Sequence, residues 1–145
     1  MPTPAGAAVF DCLGEPDEWL KRIDEGDRVA RENSLPFLTE SVVPSCSGAA
    51  LIRKGQVAEG MALVERGRAI WVAGGGRQGC PSMKSVLAEG MAQRGDLAGA
   101  LDLLDEAIAQ VERPGWEERY YYSEILRIRG WMLALRGDLE EAERS

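Results

Sequence analysis

The residues whose types and spacing most suggest chemistry are three glycines near the middle of the chain. Gly74, Gly76 and Gly79 form a G-x-G-x-x-G pattern within the stretch AIWVAGGGRQGCPSM. A dinucleotide rests its pyrophosphate on such a turn when it joins a buried strand to a helix. Here the residues before Gly74 have apolar side chains at helical spacing, and no second strand carries an acidic residue ~20 positions later. We therefore predict a flexible loop between helical units, with no cofactor.

The cysteines do not form a recognisable catalytic or metal-binding motif. Cys12, Cys46 and Cys80 are widely spaced, and the chain contains no histidine. The absence of histidine removes the Ser-His and Cys-His pairs of many hydrolases. Three distant thiolates and a carboxylate could form a zinc site, but buried thiols are the simpler interpretation.

Three carboxylates are the remaining candidates for acid–base chemistry. Asp102, Asp105 and Glu106 lie on a predicted helix whose other face is apolar. Paired carboxylates can act as acid and base, but a solvated helix face also explains them. Because no nucleophile has a nearby base, we predict that the chain is not an enzyme. The wide cysteine spacing and the absence of histidine predict that it binds no metal.

Composition restricts the partners. The chain has 145 residues, enough for one ordinary domain, and a net charge of −7. Nucleic acids and anionic membranes attract clustered Lys and Arg, which an acidic chain does not offer. The apolar runs are far shorter than the ~20 residues of a membrane span, and the first residues do not resemble a secretory signal. We expect a cytoplasmic protein that contacts neither nucleic acid nor membrane.

Glycines recur in matching contexts along the chain, as in RKGQVAEGM, QRGDLAGAL and LRGDLEEAE. They are Gly14, Gly55, Gly95 and Gly137, separated by 41, 40 and 42 residues. Small residues recur seven positions before these glycines, as at Gly48 and Ala88, and twelve positions after them, as at Gly26, Gly67 and Ala107. A period in this range indicates stacked helix–turn–helix units in which small side chains let paired helices approach closely.

The pattern predicts a single helical-repeat domain over 1–145, with units of about 1–35, 36–75, 76–114 and 115–145. The predicted helices cover about 4–13, 16–33, 37–54, 57–73, 81–94, 97–112, 116–136 and 138–145. The turn glycines end one helix in a left-handed conformation, and Asp96 and Asp138 begin the next as N-caps. Pro44 falls inside a predicted helix, so either the helix begins there or it is kinked.

The repeat resembles the tetratricopeptide pattern. The segment from Ser123 to Asp138, SEILRIRGWMLALRGD, is similar to the C-terminal repeat region of large bacterial signalling proteins. Those proteins carry a class III adenylate/guanylate cyclase domain or a DNA-binding domain, then a signal-transducing ATPase, then the repeats. The resemblance implies a right-handed α-solenoid of about three and a half hairpins, and suggests that the chain is a fragment of a larger protein. No motif of the cyclase, ATPase or DNA-binding parts is present.

The resemblance also implies where a partner would bind. In tetratricopeptide repeats the first helix of each pair lines a concave groove, and the corresponding positions here lie six and ten residues before each turn glycine. The expected groove residues are Ser45, Ala49, Ser85, Glu89, Arg127 and Trp131, with Tyr120 extending the line. Alternatively, the tyrosines of ERYYYSEILR and the tryptophans Trp19, Trp71 and Trp131 pack within or between units.

We therefore expect a tetratricopeptide-like protein-interaction or regulatory module that binds a protein or peptide. A small-molecule-sensing module attached to a cyclase, ATPase or DNA-binding domain is the alternative. Because the last helix carries apolar residues that only DLEEAERS would cover, we also predict self-association through the C-terminal end.

Overall fold

A computed structural model of the chain describes residues 15–77, 79–116, 119–137 and 144. All regular secondary structure within these ranges is helical, and none of their residues lies in a β-strand. The six α-helices of this part of the chain are α1 (Pro16–Glu32), α2 (Val43–Arg53), α3 (Val57–Ala73), α4 (Cys80–Gln93), α5 (Leu97–Glu112) and α6 (Tyr122–Arg136). The predicted all-α helical-repeat class is confirmed.

The helices fall into two compact units, which divide between residues 77 and 78. The first unit contains α1, the α2–α3 hairpin and the segment between α1 and α2. The second contains the α4–α5 hairpin and α6. The predicted single domain of four repeats stays a prediction.

Glycines with positive φ angles follow the ends of α2, α4 and α6, as the repeat pattern predicts. Gly55, Gly95 and Gly137 have positive φ angles of +85°, +91° and +93°, a conformation that glycine adopts without steric cost. Asp96 is the N-cap of α5, and its Oδ1 accepts a hydrogen bond of 2.9 Å from the Gly99 amide. The expected turn at Gly14, the cap at Asp138 and the helix over 4–13 lie outside the described residues.

The α2–α3 hairpin is closed by direct contact between two helix backbones. A methyl group added at Gly60 would lie 2.5 Å from the Gly48 carbonyl oxygen and 2.8 Å from the Ile52 amide nitrogen. A methyl at Gly48 would lie 2.8 Å from the amide nitrogen of Val64. Only glycine therefore fits at either position. Gly26 occupies the repeat position of Gly67 in α1, but a methyl group there would meet nothing within 4 Å.

A π-helical turn, Leu38–Val42, leads into α2, whose first turn contains Pro44. Proline lacks an N–H and its ring clashes with the carbonyl four residues earlier. In the first turn of a helix proline is tolerated, and Pro44 is at such a position in α2, directly after the wider turn in which the Val43 amide donates to the Leu38 carbonyl. The α-helix begins at Val43, so Pro44 lies in its first turn, close to the helix start that one of the two alternatives expected, and a π-helical turn precedes it.

A buried serine of the π-helical turn forms a hydrogen bond with α3. Ser41 is fully buried, and its hydroxyl donates a hydrogen bond of 2.8 Å to the Gly67 carbonyl. Ser45 donates to the Ser41 carbonyl at 2.9 Å. A methyl group at Gly67 would collide with Ser45 Oγ and the Ser41 carbonyl oxygen, so Gly67 provides the space that this network needs.

Helix α1 packs on the hairpin through its apolar face. Trp19 and Ile23 are buried, and the Arg53 guanidinium lies 5.7 Å from the centroid of the Trp19 ring. Lys54 Nζ also lies 2.5 Å from Asp17 Oδ1. Burial of the large side chains supplies most of the stabilisation, because exposed ion pairs contribute little.

The second unit has an aliphatic core. Helix α6 packs on α5 and also contacts α4. The buried side chains that form the core are Ala88, Ala100, Leu101, Leu104, Ala107, Val111, Ile125, Ile128, Met132 and Leu133. In this unit the helices are held by interlocking side chains, with alanines at the repeat positions of Gly48, Gly60 and Gly67.

Candidate functional site

The glycine-rich stretch is a helix terminus and a loop, as predicted. Helix α3, not a strand, precedes Gly74. Gly75 and Gly79 have φ angles of +83° and +73°, and Gly79 precedes the first residue of α4. A methyl group on Gly76 would come within 2.6 Å of Cε2 of the Trp71 indole. The glycines therefore serve the turns and a close contact with a tryptophan, and the arrangement is not that of a dinucleotide site.

The described cysteines and carboxylates do not assemble a metal site. Among the residues that the structure describes, no three Cys, Asp or Glu side chains lie close enough to hold an ion. Burial raises the pKa of the Cys46 thiol to about 11, so this thiol stays protonated near neutral pH and is a poor nucleophile. Cys80 is buried at the first position of α4, and Cys12 lies outside the described residues.

The carboxylates of α5 take part in ion pairs between helices. Asp105 Oδ1 lies 2.7 Å from Arg129 Nε of α6, and Glu106 Oε2 lies 3.4 Å from Lys84 Nζ of α4. Asp102 is exposed. These contacts support the interpretation of a solvated helix face and do not assemble an acid–base pair.

The expected partner-binding residues of the second unit lie on α4 and α6, which are in contact. Glu89 is on α4, and Arg127 and Trp131 are one turn apart on α6. The charge of Glu89 acts on Arg127 and contributes to raising its pKa. Trp131 is 47% exposed, and Leu135, one further turn along α6, is 59% exposed. The fold thus brings an acidic, a basic and an aromatic side chain to one neighbourhood.

Arg127 is held in place by an acid that sequence reasoning missed. Its Nε and Nη2 donate hydrogen bonds of 2.8 and 2.6 Å to the two carboxylate oxygens of Glu124. These bonds are the main reason why the pKa of Arg127 lies above its ordinary value, although desolvation opposes them. The signal was present in the sequence, because residues three apart are neighbours on a helix surface.

The smaller side chains of the expected groove are buried. Ser85 has no exposed surface, and its hydroxyl donates to the Ser82 carbonyl at 2.7 Å. Ser45 and Ala49 are also buried. Their surroundings in the structure are those of packing residues.

The aromatic residues divide between packing and exposure. Trp19 belongs to the core, as one interpretation expected, whereas Trp131 does not. Tyr120 is 70% exposed, and its ring meets that of Tyr121 edge to face, with centroids 6.1 Å apart. The Tyr122 hydroxyl donates to Glu112 at 2.5 Å, which raises the pKa of Tyr122. Tyr122 therefore links the start of α6 to the end of α5, whereas Tyr120 is mostly exposed.

An exposed apolar patch in the first unit was not expected from the sequence. It consists of Leu35, Phe37 and Val72, all close to half exposed. The Phe37 ring lies against that of Trp71, with centroids 5.1 Å apart. The periodicity of apolar residues predicts which face of a helix is buried. It does not predict which apolar residues near a helix end stay exposed, so this patch could not be predicted from the sequence.

Comparison with protein families identifies repeats in the second unit. A family model described as tetratricopeptide repeat matches residues 84–106 and 124–145, together less than a third of the chain. The first match spans most of α4 and more than half of α5, and the second begins in α6. Neither curated proteins nor solved structures give a significant match. The second unit therefore contains a tetratricopeptide-like repeat region, of a type that typically binds proteins and is not catalytic.

None of the described helices combines the length and the apolar character needed to cross a bilayer.

Proposed function

We propose that the chain is a non-enzymatic interaction module that binds a protein or peptide on the exposed face of α4 and α6. We call this surface the α4/α6 face and define it by Glu89, Tyr120, Glu124, Arg127 and Trp131. The observation that carries the proposal is the half-exposed Trp131 beside the Arg127–Glu124 pair, within a region that matches tetratricopeptide repeats.

The chemistry of this face suits protein recognition. Tryptophan, tyrosine and arginine are the residues most enriched among those that dominate binding energy at interfaces. Trp131 and Tyr120 offer aromatic area at little cost in side-chain entropy. The Arg127 guanidinium is oriented in advance by two hydrogen bonds to Glu124, so less conformational freedom is lost when a partner binds.

The test is selection of short peptides from a displayed random library against the whole chain, followed by affinity measurements. Replacing Trp131 by alanine should weaken the selected peptides by about 30-fold, because a central aromatic contact is worth about 2 kcal/mol. Arg113→Ala is the matched control for Arg127→Ala, since Arg113 is an exposed arginine at the end of α5. Selected peptides that bind Trp131→Ala and Arg127→Ala as well as the unaltered chain would contradict the proposal.

We further propose that the exposed stripe of α6 supports self-association. Trp131 and Leu135 lie one turn apart, and both expose much of their apolar surface. Two copies of the chain could bury these side chains against each other. Sedimentation velocity should show a dimer that Leu135→Glu converts to a monomer, whereas a clean monomer at high concentration would contradict self-association.

The wider context that we propose is a cytoplasmic bacterial signalling protein in which this module relays a signal to an attached cyclase, ATPase or DNA-binding domain. The support is the resemblance of the segment from Ser123 to Asp138 to the repeat region of such proteins. The coding sequence next to that of this chain provides the test: a cyclase or ATPase region there would support the proposal, and unrelated genes on both sides would count against it.

A further inference from the structure

We draw no further inference here: the strongest candidate, the exposed apolar patch of Leu35, Phe37 and Val72 at the end of α3 in the first unit, carries nothing because nothing in the structure shows what covers it.

Discussion

The α2–α3 and α4–α5 hairpins share one repeat register but close their helix pairs in different ways. Gly48 and Gly60 bring the backbones of α2 and α3 into direct contact. The corresponding residues of α4 and α5 are Ala88 and Ala100, both fully buried. The repeat therefore specifies a small residue at these positions, and the choice between glycine and alanine sets how closely the two backbones approach.

The two hairpins also differ in the size of a core side chain between their helices. Val64 in α3 and Leu104 in α5 are forty residues apart and occupy the same buried position of the repeat. A closer pair of helices leaves less volume between them, so the smaller valine accompanies the glycines. The first hairpin depends on backbone contact and a buried hydrogen bond, and the second depends on interlocking side chains. The two hairpins should consequently respond differently to the same kind of substitution.

The largest effect is expected from a cavity in the second unit. Leu104→Ala removes most of a side chain that has no exposed surface, and should lower the free energy of unfolding by about 3–4 kcal/mol. Val64→Ala should cost less, because fewer buried methyl groups are lost. Urea unfolding of both variants measures the difference. Equal losses would contradict the expected order.

A reciprocal exchange at the helix contact should give the next largest effect. Gly60→Ala places a methyl group 2.5 Å from a carbonyl oxygen and 2.8 Å from an amide nitrogen of the facing helix, neither of which can move as a side chain could. We expect overpacking to lower the free energy of unfolding by about 2–3 kcal/mol. The matched control, Ala100→Gly, should cost about 1 kcal/mol through helix propensity. A Gly60→Ala variant as stable as the unaltered chain would contradict the close contact.

Replacing the buried Ser41 should lower the free energy of unfolding less than Leu104→Ala or Gly60→Ala. Ser41→Ala removes the hydroxyl that joins the π-helical turn to the Gly67 carbonyl, and we expect a loss of about 1 kcal/mol, typical of one hydrogen bond. The control is Ser82→Ala in the second unit, whose hydroxyl donates only to the Gly79 carbonyl at the start of its own helix. Thermal unfolding of the two variants compares them. A larger loss at Ser82 would reverse the expected order.

The architecture was largely predictable from the sequence. Gly55 and Gly95 marked the turns because a left-handed residue must end each first helix, and the predicted helix over 57–73 agrees with the observed Val57–Ala73. The π-helical turn could not be predicted, because Pro44 is compatible with a helix start, a kink or a wider turn. In the structure Ser41 of this turn donates to the Gly67 carbonyl, 26 residues away, and such a tertiary contact cannot be read from the local sequence.

The candidate site was predictable only in part. Repeat register gave Glu89, Arg127 and Trp131, which the fold brings to one neighbourhood. The same register also gave Ser85, which is fully buried. Register assigns a residue to a side of its helix, whereas exposure depends on how closely the next helix packs there. That distance is a tertiary property that the pattern of one helix does not contain.

The smallest effect on stability is expected at Trp131. Because half of its side chain is already in contact with solvent, Trp131→Ala should change the free energy of unfolding by no more than about 1 kcal/mol while weakening the selected peptides by about 30-fold. Urea unfolding and peptide titration of the same sample separate the two outcomes. A variant that loses several kcal/mol would identify Trp131 as a packing residue.

The most direct test of the proposed function compares the two exposed surfaces in one experiment. Nuclear magnetic resonance spectra of the whole chain, recorded while a library-selected peptide is titrated in, report which amides change their surroundings. We predict shifts at Glu89, Arg127 and the Trp131 indole, with the amides of Phe37 and Val72 unchanged. Shifts confined to Phe37, Val72 and their neighbours would contradict the α4/α6 face and place recognition on the first unit.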